Sequence, residues 1–462
     1  MKREAQKYLE KWHMDKNRKP LIIYGARQIG KTYLVDELFK NAHYDEKHYI
    51  KVDFRYDVEI RKYIKNHIDS DDIINYLELK KNKTIDKNTL LFFDEIQECL
   101  PFITSLKSFC EKHRDIPIIA TGSLVRTKIK QMESTNRISY DPEITDEYQD
   151  GHNNYMFPLG KIDEYYLYPF TFNEFLYSIN EKLYNYLYNA WKNNRVIDDE
   201  YHNMALSYIN DFLIVGSLPE NIKIFIETKS YEKARQNLVT LYNNYLNDMV
   251  LYQVSDSTII RARNVFESIY SQLNKENKNF KISLIEKNRK YRDYEYSLFW
   301  LITANLIYPS YQVKEKVSFP LVKNEDSLFR LYLPDVGLLT YQSGISTDNI
   351  IDDINYSNMS GLFYENLVAN EIVARNNKLF YWKGKTSSEL EFLIQHKNSI
   401  VPIDVKKTRG NLKSLNKYRE MNKKDLAIKV SSNKYGFDEN NKIYTIPHYF
   451  IGFMLDDFIC NS

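Results

Sequence analysis

Hydrophobic and polar positions in the first quarter of the chain form short apolar runs separated by amphipathic stretches. Residues 21–24, 49–53, 90–93 and 116–120 read as strands, with helices at residues 32–39, 73–79 and 102–113. Unbroken apolarity, clearest in Leu90-Leu91-Phe92-Phe93, suits a strand buried on both faces. The alternation therefore predicts an α/β fold over residues 1–126, a parallel sheet with helices on both sides. Residues 127–154 are polar and then acidic (Asp141, Glu143, Asp146, Glu147, Asp150), and read as a flexible insertion. Residues 155–255 turn to a helical period, broken at Gly216-Ser217-Leu218-Pro219, and read as a helical lid.

Residues 256–350 predict a helix at 260–273, a short one capped by Ser283, a third at 291–304, and β pieces at 306–313 and 328–333. Three helices and a hairpin outline a winged helix. Arg289, Lys290 and Arg292 then open its third helix, where a DNA reader meets phosphates, although a solvated surface on a protein-packing module is the plainer reading. Residues 355–462 form a last block, with a helix at 361–374 and strands at 390–395 and 400–406.

The turn after the first strand changes the picture most. Gly25-Ala26-Arg27-Gln28-Ile29-Gly30-Lys31-Thr32 fits G-x-x-x-x-G-K-[ST], between a strand and a helix start. Its glycines let backbone N–H groups turn onto phosphate oxygens, and the helix presents its positive end to the same anion. Lys31 would reach the β/γ phosphates and Thr32 would offer its hydroxyl to Mg²⁺. Residues 90–93 end in Asp94-Glu95, at the carboxyl end of a strand where ligands bind in open α/β sheets. Asp94 would hold the Mg²⁺ shell and Glu95 would polarise the attacking water. Thr121-Gly122-Ser123 ends the fourth strand, and its hydroxyl, assigned to Ser123, would sense the γ phosphate or place the water; a simple turn is an equal reading.

Composition narrows the setting. A chain of 462 residues has room for two to four domains, and 43% hydrophobic with 27% charged residues is the usage of soluble globular proteins. A formal net charge of +2 gives the whole molecule no strong pull on nucleic acid, so any such surface must be local. Cys99, Cys110 and Cys460 have no metal-type spacing and fit reduced thiols. The start Met1-Lys2-Arg3-Glu4 lacks a signal core, and the apolar stretch near 298–307 is too short to span a bilayer. The expectation is a cytoplasmic protein without a membrane partner. The 39 tyrosines are scattered among Asn and Lys, as coding bias would leave them, rather than grouped as stacking platforms.

A second chemistry is spelled near the C-terminus. If His396-Lys397-Asn398-Ser399 is a hairpin loop, Gln395 opposes Ile400, Glu391 opposes Asp404, and Lys406 shares the face of Asp404. Facing carboxylates repel unless a cation compensates. A divalent ion beside Lys406 would do so, as in metal-dependent phosphodiester hydrolysis; alternatively Lys406 neutralises a structural acid. Glu365, on the apolar stripe of the preceding helix, would join them.

The segment Lys19–Thr32 resembles the phosphate loop of a family of bacterial and archaeal AAA-like ATPases related to the STAND class. Phe157-Pro158-Leu159-Gly160-Lys161, Tyr168-Pro169-Phe170-Thr171-Phe172-Asn173-Glu174-Phe175-Leu176, and Leu331-Tyr332-Leu333-Pro334-Asp335-Val336-Gly337-Leu338-Leu339 are similar to further segments of it. Gly216-Ser217-Leu218-Pro219 stands where the family usually has Gly-Gly-x-Pro. Gly361-Leu362-Phe363-Tyr364-Glu365-Asn366 and the hairpin resemble its C-terminal domain, akin to PD-(D/E)xK nucleases (a restriction-endonuclease-like α/β fold), with Glu391 in place of the usual aspartate. The resemblance implies ATP and Mg²⁺ as cofactors, DNA as a partner, and Glu365, Glu391, Asp404 and Lys406 as a nuclease-like site. With an inactive site, the chain becomes an ATP-driven switch carrying a binding platform. In a homo-oligomeric ring Lys161 would add transition-state charge in trans; a surface lysine is the plainer reading.

Overall fold

The computed structural model describes residues 1–123, 157–251, 255–324, 328–347, 361–385, 388–408, 410–422 and 426–459. The expected insertion at 127–154, and Cys460, lie outside the described residues. The chain divides into two compact units, Lys2–Leu167 and Tyr168–Ser462.

The first unit is built on five parallel strands, β1 (Leu21–Tyr24), β2 (Tyr49–Asp53), β3 (Leu90–Asp94), β4 (Ile118–Gly122) and β5 (Asp163–Tyr166), in the order β2-β3-β4-β1-β5. Every residue of β1, β3 and β4 is buried, which accounts for their unalternating apolarity. Phe93 packs on Phe102 of the helix Leu100–Lys112 with ring centroids 4.1 Å apart, and Phe54 joins them at 5.3 Å from Phe102.

Two expectations are corrected here. The helical period read from residue 155 begins instead with β5, which pairs with β1 in the register Ile22↔Glu164. A half-exposed edge strand reading Asp-Glu-Tyr-Tyr has no apolar run to announce it. The Asp163 carboxylate accepts a hydrogen bond from the Lys19 amide at 3.0 Å, fixing the chain just before β1. The helix after the phosphate loop is not uniform: Lys31–Tyr33 is α-helical, Leu34–Lys40 widens to a π-helix, and Asn41–His43 closes it.

The second unit runs through all three blocks read from residues 155–255, 256–350 and 355–462. Helices Phe172–Ile179 to Tyr231–Leu251 fill its first part. Helices Asp256–Leu273 and Tyr291–Thr303 follow, and the element capped by Ser283 is a single 3-10 turn, Ile282–Leu284. The strands β6 (Tyr308–Gln312) and β7 (Phe329–Tyr332) form an antiparallel hairpin, and β6 also pairs in parallel with β8 (Leu379–Lys383). The hairpin is therefore not a free wing: with β9 (Glu389–Leu390) it makes a four-stranded sheet in the order β7-β6-β8-β9.

A second sheet contains β10 (Phe392–His396), β11 (Ser399–Val405), β12 (Ala427–Ser431), β13 (Gly436–Asp438) and β14 (Ile443–Pro447), in the order β10-β11-β12-β14-β13. Gln395 pairs with Ile400 as counted from the sequence, while His396 and Ser399 pair as well and leave Lys397-Asn398 as the turn. The helix Gly361–Ala374 is buried from Leu362 through Ala369.

One buried acid in this unit has no ion-pair cation among the described residues. Asp335 caps the helix Val336–Gln342, accepting from the Leu338 amide at 2.6 Å, from Ser217 Oγ at 2.6 Å and from the Ser217 amide. Gly216 has φ +80°, and a Cβ there would stand 2.7 Å from the Asp335 carboxylate. The two sequence signatures around Gly216 and Asp335 are thus halves of one contact. Among the described residues no helix is long and apolar enough to cross a membrane.

Candidate functional site

The first site forms where β1, β3 and β4 end. Gly25 leaves β1 with φ +153°, and a Cβ would come within 2.5 Å of the Leu167 carbonyl oxygen. Gln28 (φ 63°) and Gly30 (φ 89°) take left-handed conformations that curl the loop onto the helix start. Arg3 braces the loop from behind, donating from a guanidinium nitrogen to the Ile29 carbonyl at 3.0 Å.

Lys31 is buried and donates to the Gly25 and Ala26 carbonyls at 3.0 and 2.8 Å. Burial lowers its pKa to about 8, with the nearby charges of Glu95 and Asp94 acting in the opposite direction. Thr32 Oγ1 donates to Asp94 Oδ2 at 2.8 Å, so the loop after β1 meets the tip of β3 although β4 runs between them. Asp94 also accepts from the Glu95 amide at 3.0 Å and from the Thr121 hydroxyl, and Lys51 Nζ lies 3.9 Å away. Burial pushes the Asp94 carboxyl above its usual range against these hydrogen bonds. A hydroxyl and a carboxylate converging in an all-oxygen donor set suit Mg²⁺.

Glu95 has φ 55° and is held from two sides, by the Gln97 amide and by Arg55, whose guanidinium is 3.3 Å from Oε1. Arg55 is itself anchored in two-pronged fashion to Asp53 at the end of β2, at 2.9 and 3.2 Å. Ala26, Arg27, Gln28 and Ile29 lie in the loop as the spacing required. The hydroxyl that touches Asp94 belongs to Thr121, whereas Ser123 Oγ is buried without a hydrogen-bond partner among the described residues. Thr121 pairs with Ile23, one step before the tip of β1, a position that the sequence alone does not distinguish from that of Ser123. Arg55, Asp53 and Lys51 carried no sequence signal of their own. Lys161 is half-buried and paired with Glu111 at 2.8 Å.

A second charged cluster lies within the second unit. Glu391 sits at the break between β9 and β10 and accepts from the Val405 amide at 3.0 Å. Lys406 Nζ is 2.6 Å from Asp404 Oδ1 and 3.6 Å from Glu391 Oε1. Glu365, on the helix Gly361–Ala374, is bonded instead to Lys278 at 2.5 Å, and Lys278 also lies 3.9 Å from Glu389. Arg330, fully buried on β7, reaches Glu389 at 2.6 Å. Burial and then the Glu391 charge raise the Asp404 carboxyl, while Lys406 and Lys278 outweigh burial at Glu391 and hold it below the usual range.

The four acids and bases read from the sequence are therefore brought together, but Lys278, Arg330 and Glu389 were not foreseen. Among the described residues no three His, Cys, Asp or Glu side chains are arranged to hold a metal ion. The donors expected to meet a divalent ion here meet ammonium groups.

Comparison with known proteins agrees with the first site. Residues 17–141 match the AAA domain family, residues 206–349 a domain of unknown function (DUF8612), and residues 360–449 another (DUF4143). No curated protein matches the chain. Among solved structures, AMPPCP-bound DnaA from Aquifex aeolicus aligns at 14% identity over 65% of this chain and 87% of its own, with a TM-score of 0.27. A DNA replication initiation factor aligns at 15% identity over 64% and 85%, with a TM-score of 0.23. Such loose superpositions carry no weight here. The phosphate loop, the parallel sheet and the family match together define the first unit as a P-loop nucleotide-binding domain of the AAA type, suited to ATP.

Proposed function

We propose that the protein is a Mg²⁺-dependent ATPase whose first unit hydrolyses ATP and whose second unit carries the response to DNA or to another partner. The observation that carries the reading is the 2.8 Å hydrogen bond from Thr32 to Asp94. It joins the phosphate loop to the acidic strand tip that nucleotide hydrolysis needs. Lys31 binds the β/γ phosphates with a charge that the loop carbonyls and, from farther off, Glu95 and Asp94 now stabilise. Thr32 and Asp94 would hold Mg²⁺, which supplies charge neutralisation at the phosphates. Glu95 accepts the proton of the attacking water, and Ser123, whose hydroxyl is without a partner among the described residues, would sense the γ phosphate. Arg55 already reaches Glu95 and sets its orientation. A homo-oligomer would be required for any cation supplied by Lys161 in trans.

The test is phosphate release by wild type, Lys31→Ala and Glu95→Gln. Lys31→Ala should lose nucleotide affinity by about 100-fold or more. Glu95→Gln should retain affinity and lose turnover by about 100-fold or more. Turnover unchanged in Glu95→Gln would refute the mechanism.

For residues 360–449 the nuclease-like reading is supported by the order helix, four strands, helix, three strands and by the convergence of Glu365, Glu391, Asp404 and Lys406. The alternative, a catalytically inactive platform moved by the ATPase, is favoured by the ammonium groups already bonded to those acids. Incubation of the protein with DNA, Mg²⁺ or Mn²⁺ and ATP separates them: cleavage lost in Asp404→Ala supports the nuclease, and intact DNA supports the platform.

A further inference from the structure

The residues that match DUF4143 hold four carboxylates in one region: Glu365, Glu389, Glu391 and Asp404. Asp404 is fully buried and Glu365 and Glu391 are nearly so. Left alone, such a group of acids would either take up protons or draw in a cation. Four cations stand about them: Lys406 from the end of β11, Lys429 opposite Asp404 on β12, Arg330 from β7, and Lys278. Lys278 and Arg330 do not come from the DUF4143 match at all, but from the preceding residues 206–349.

Lys278 stands on the segment between the helix Asp256–Leu273 and the Ile282–Leu284 turn. Its stem is largely covered, with the side chain 17% exposed, and its ammonium lies between Glu365 and Glu389. Its charge also acts on Glu391. Four cations against four acids leave the cluster close to neutral.

We propose that Lys278 is the resident cation of this cluster: it closes to divalent metal a site that the C-terminal domain would otherwise offer. The contact is an autoinhibitory one, made by one family-defined segment on another within the second unit. Withdrawing Lys278 leaves Glu365 without its bonded cation and raises the net negative charge of the pocket by one, which suits an oxygen-ligated divalent ion. Glu365 Oε2 and Asp404 Oδ2, both buried without a hydrogen-bond partner among the described residues, are the oxygens free to receive it. The inference is independent of ATP hydrolysis, and its test is made without nucleotide so that the two fail separately.

The experiment is Mn²⁺ titration of the full chain, read as loss of the free-ion electron paramagnetic resonance signal, with melting temperature recorded in parallel. Wild type and Asp404→Asn should bind the same number of ions. Lys278→Met should gain one further ion, with a rise in melting temperature of about 5 °C at Mn²⁺ a hundredfold above its dissociation constant. The double variant Lys278→Met/Asp404→Asn should lose that ion. A wild-type ion that disappears in Asp404→Asn overturns the proposal, and so does a folded Lys278→Met that gains none. If Lys278→Met does not fold, the comparison of wild type with Asp404→Asn still decides whether the native site is closed.

Discussion

Lys31 in the first unit and Lys406 in the second are both lysines set among oxygen atoms, yet their surroundings prepare them for opposite tasks. Lys31 is bonded only to neutral carbonyls of its own loop, and burial depresses its pKa to about 8. Lys406 is bonded to Asp404 and near Glu391, and those charges outweigh burial and raise its pKa. A buried cation bonded to neutral carbonyls, with Glu95 and Asp94 acting only from farther off, gains from meeting an anion, whereas one already bonded to a carboxylate does not. A lysine's partners, more than its motif, separate a ligand-seeking site from a self-satisfied one.

The comparison breaks most readily by exchanging the losses. Lys406→Ala should leave nucleotide affinity unchanged and destabilise the second unit by about 3 kcal/mol, because Asp404 and Glu391 remain buried without their cation. Urea unfolding alongside nucleotide titration measures both. Asp335 sharpens the contrast, as an acid stabilised by hydrogen bonds alone: Asp335→Ala should cost about 2–3 kcal/mol in the same unfolding assay, by stranding the Ser217 and Leu338 amides.

A pH series tests Lys31 directly. Its folded, ligand-free pKa lies below the unfolded value, so between about pH 8 and 10.5 the unfolded chain holds more protons and this group makes stability rise with pH. A bound triphosphate reverses the preference and draws the proton back. Nucleotide affinity should therefore fall by about tenfold for each pH unit above 8. Isothermal titration at pH 7, 8 and 9 should show the fall in wild type and not in Lys31→Ala. The smallest effect is expected at the partly exposed Arg55: Arg55→Ala should change turnover by about threefold to tenfold while leaving nucleotide affinity within twofold, since it touches Glu95 and not the loop.

Much of this was legible in the sequence where the chemistry is local. The phosphate loop needs two glycines and a lysine within eight residues, and the β10–β11 register follows from a period of two. Both read directly. Features made by distant partners were not legible. β5 carries no apolar run because one edge faces outward, and it is recognisable only beside β1. Thr121 and Ser123 are equivalent hydroxyls in the sequence, and only the pairing with β1 and β3 sends the first to Asp94. Lys278 is one of many lysines between Asn and Glu residues, and its partner Glu365 lies 87 positions away. Arg330 reads as a polar position in a strand, while the structure buries it completely over the Tyr381 ring at 4.1 Å.

The pairing of β6 with both β7 and β8 has a mechanical consequence. Backbone hydrogen bonds weld the segment matched by DUF8612 to the one matched by DUF4143, so neither can swing without carrying the other. Pulling the two segments apart would bare the flanks of β6 and β8, two ribbons ready to add strands from other molecules. A push delivered to either segment must therefore be felt across the whole plate, as by a lever without a hinge.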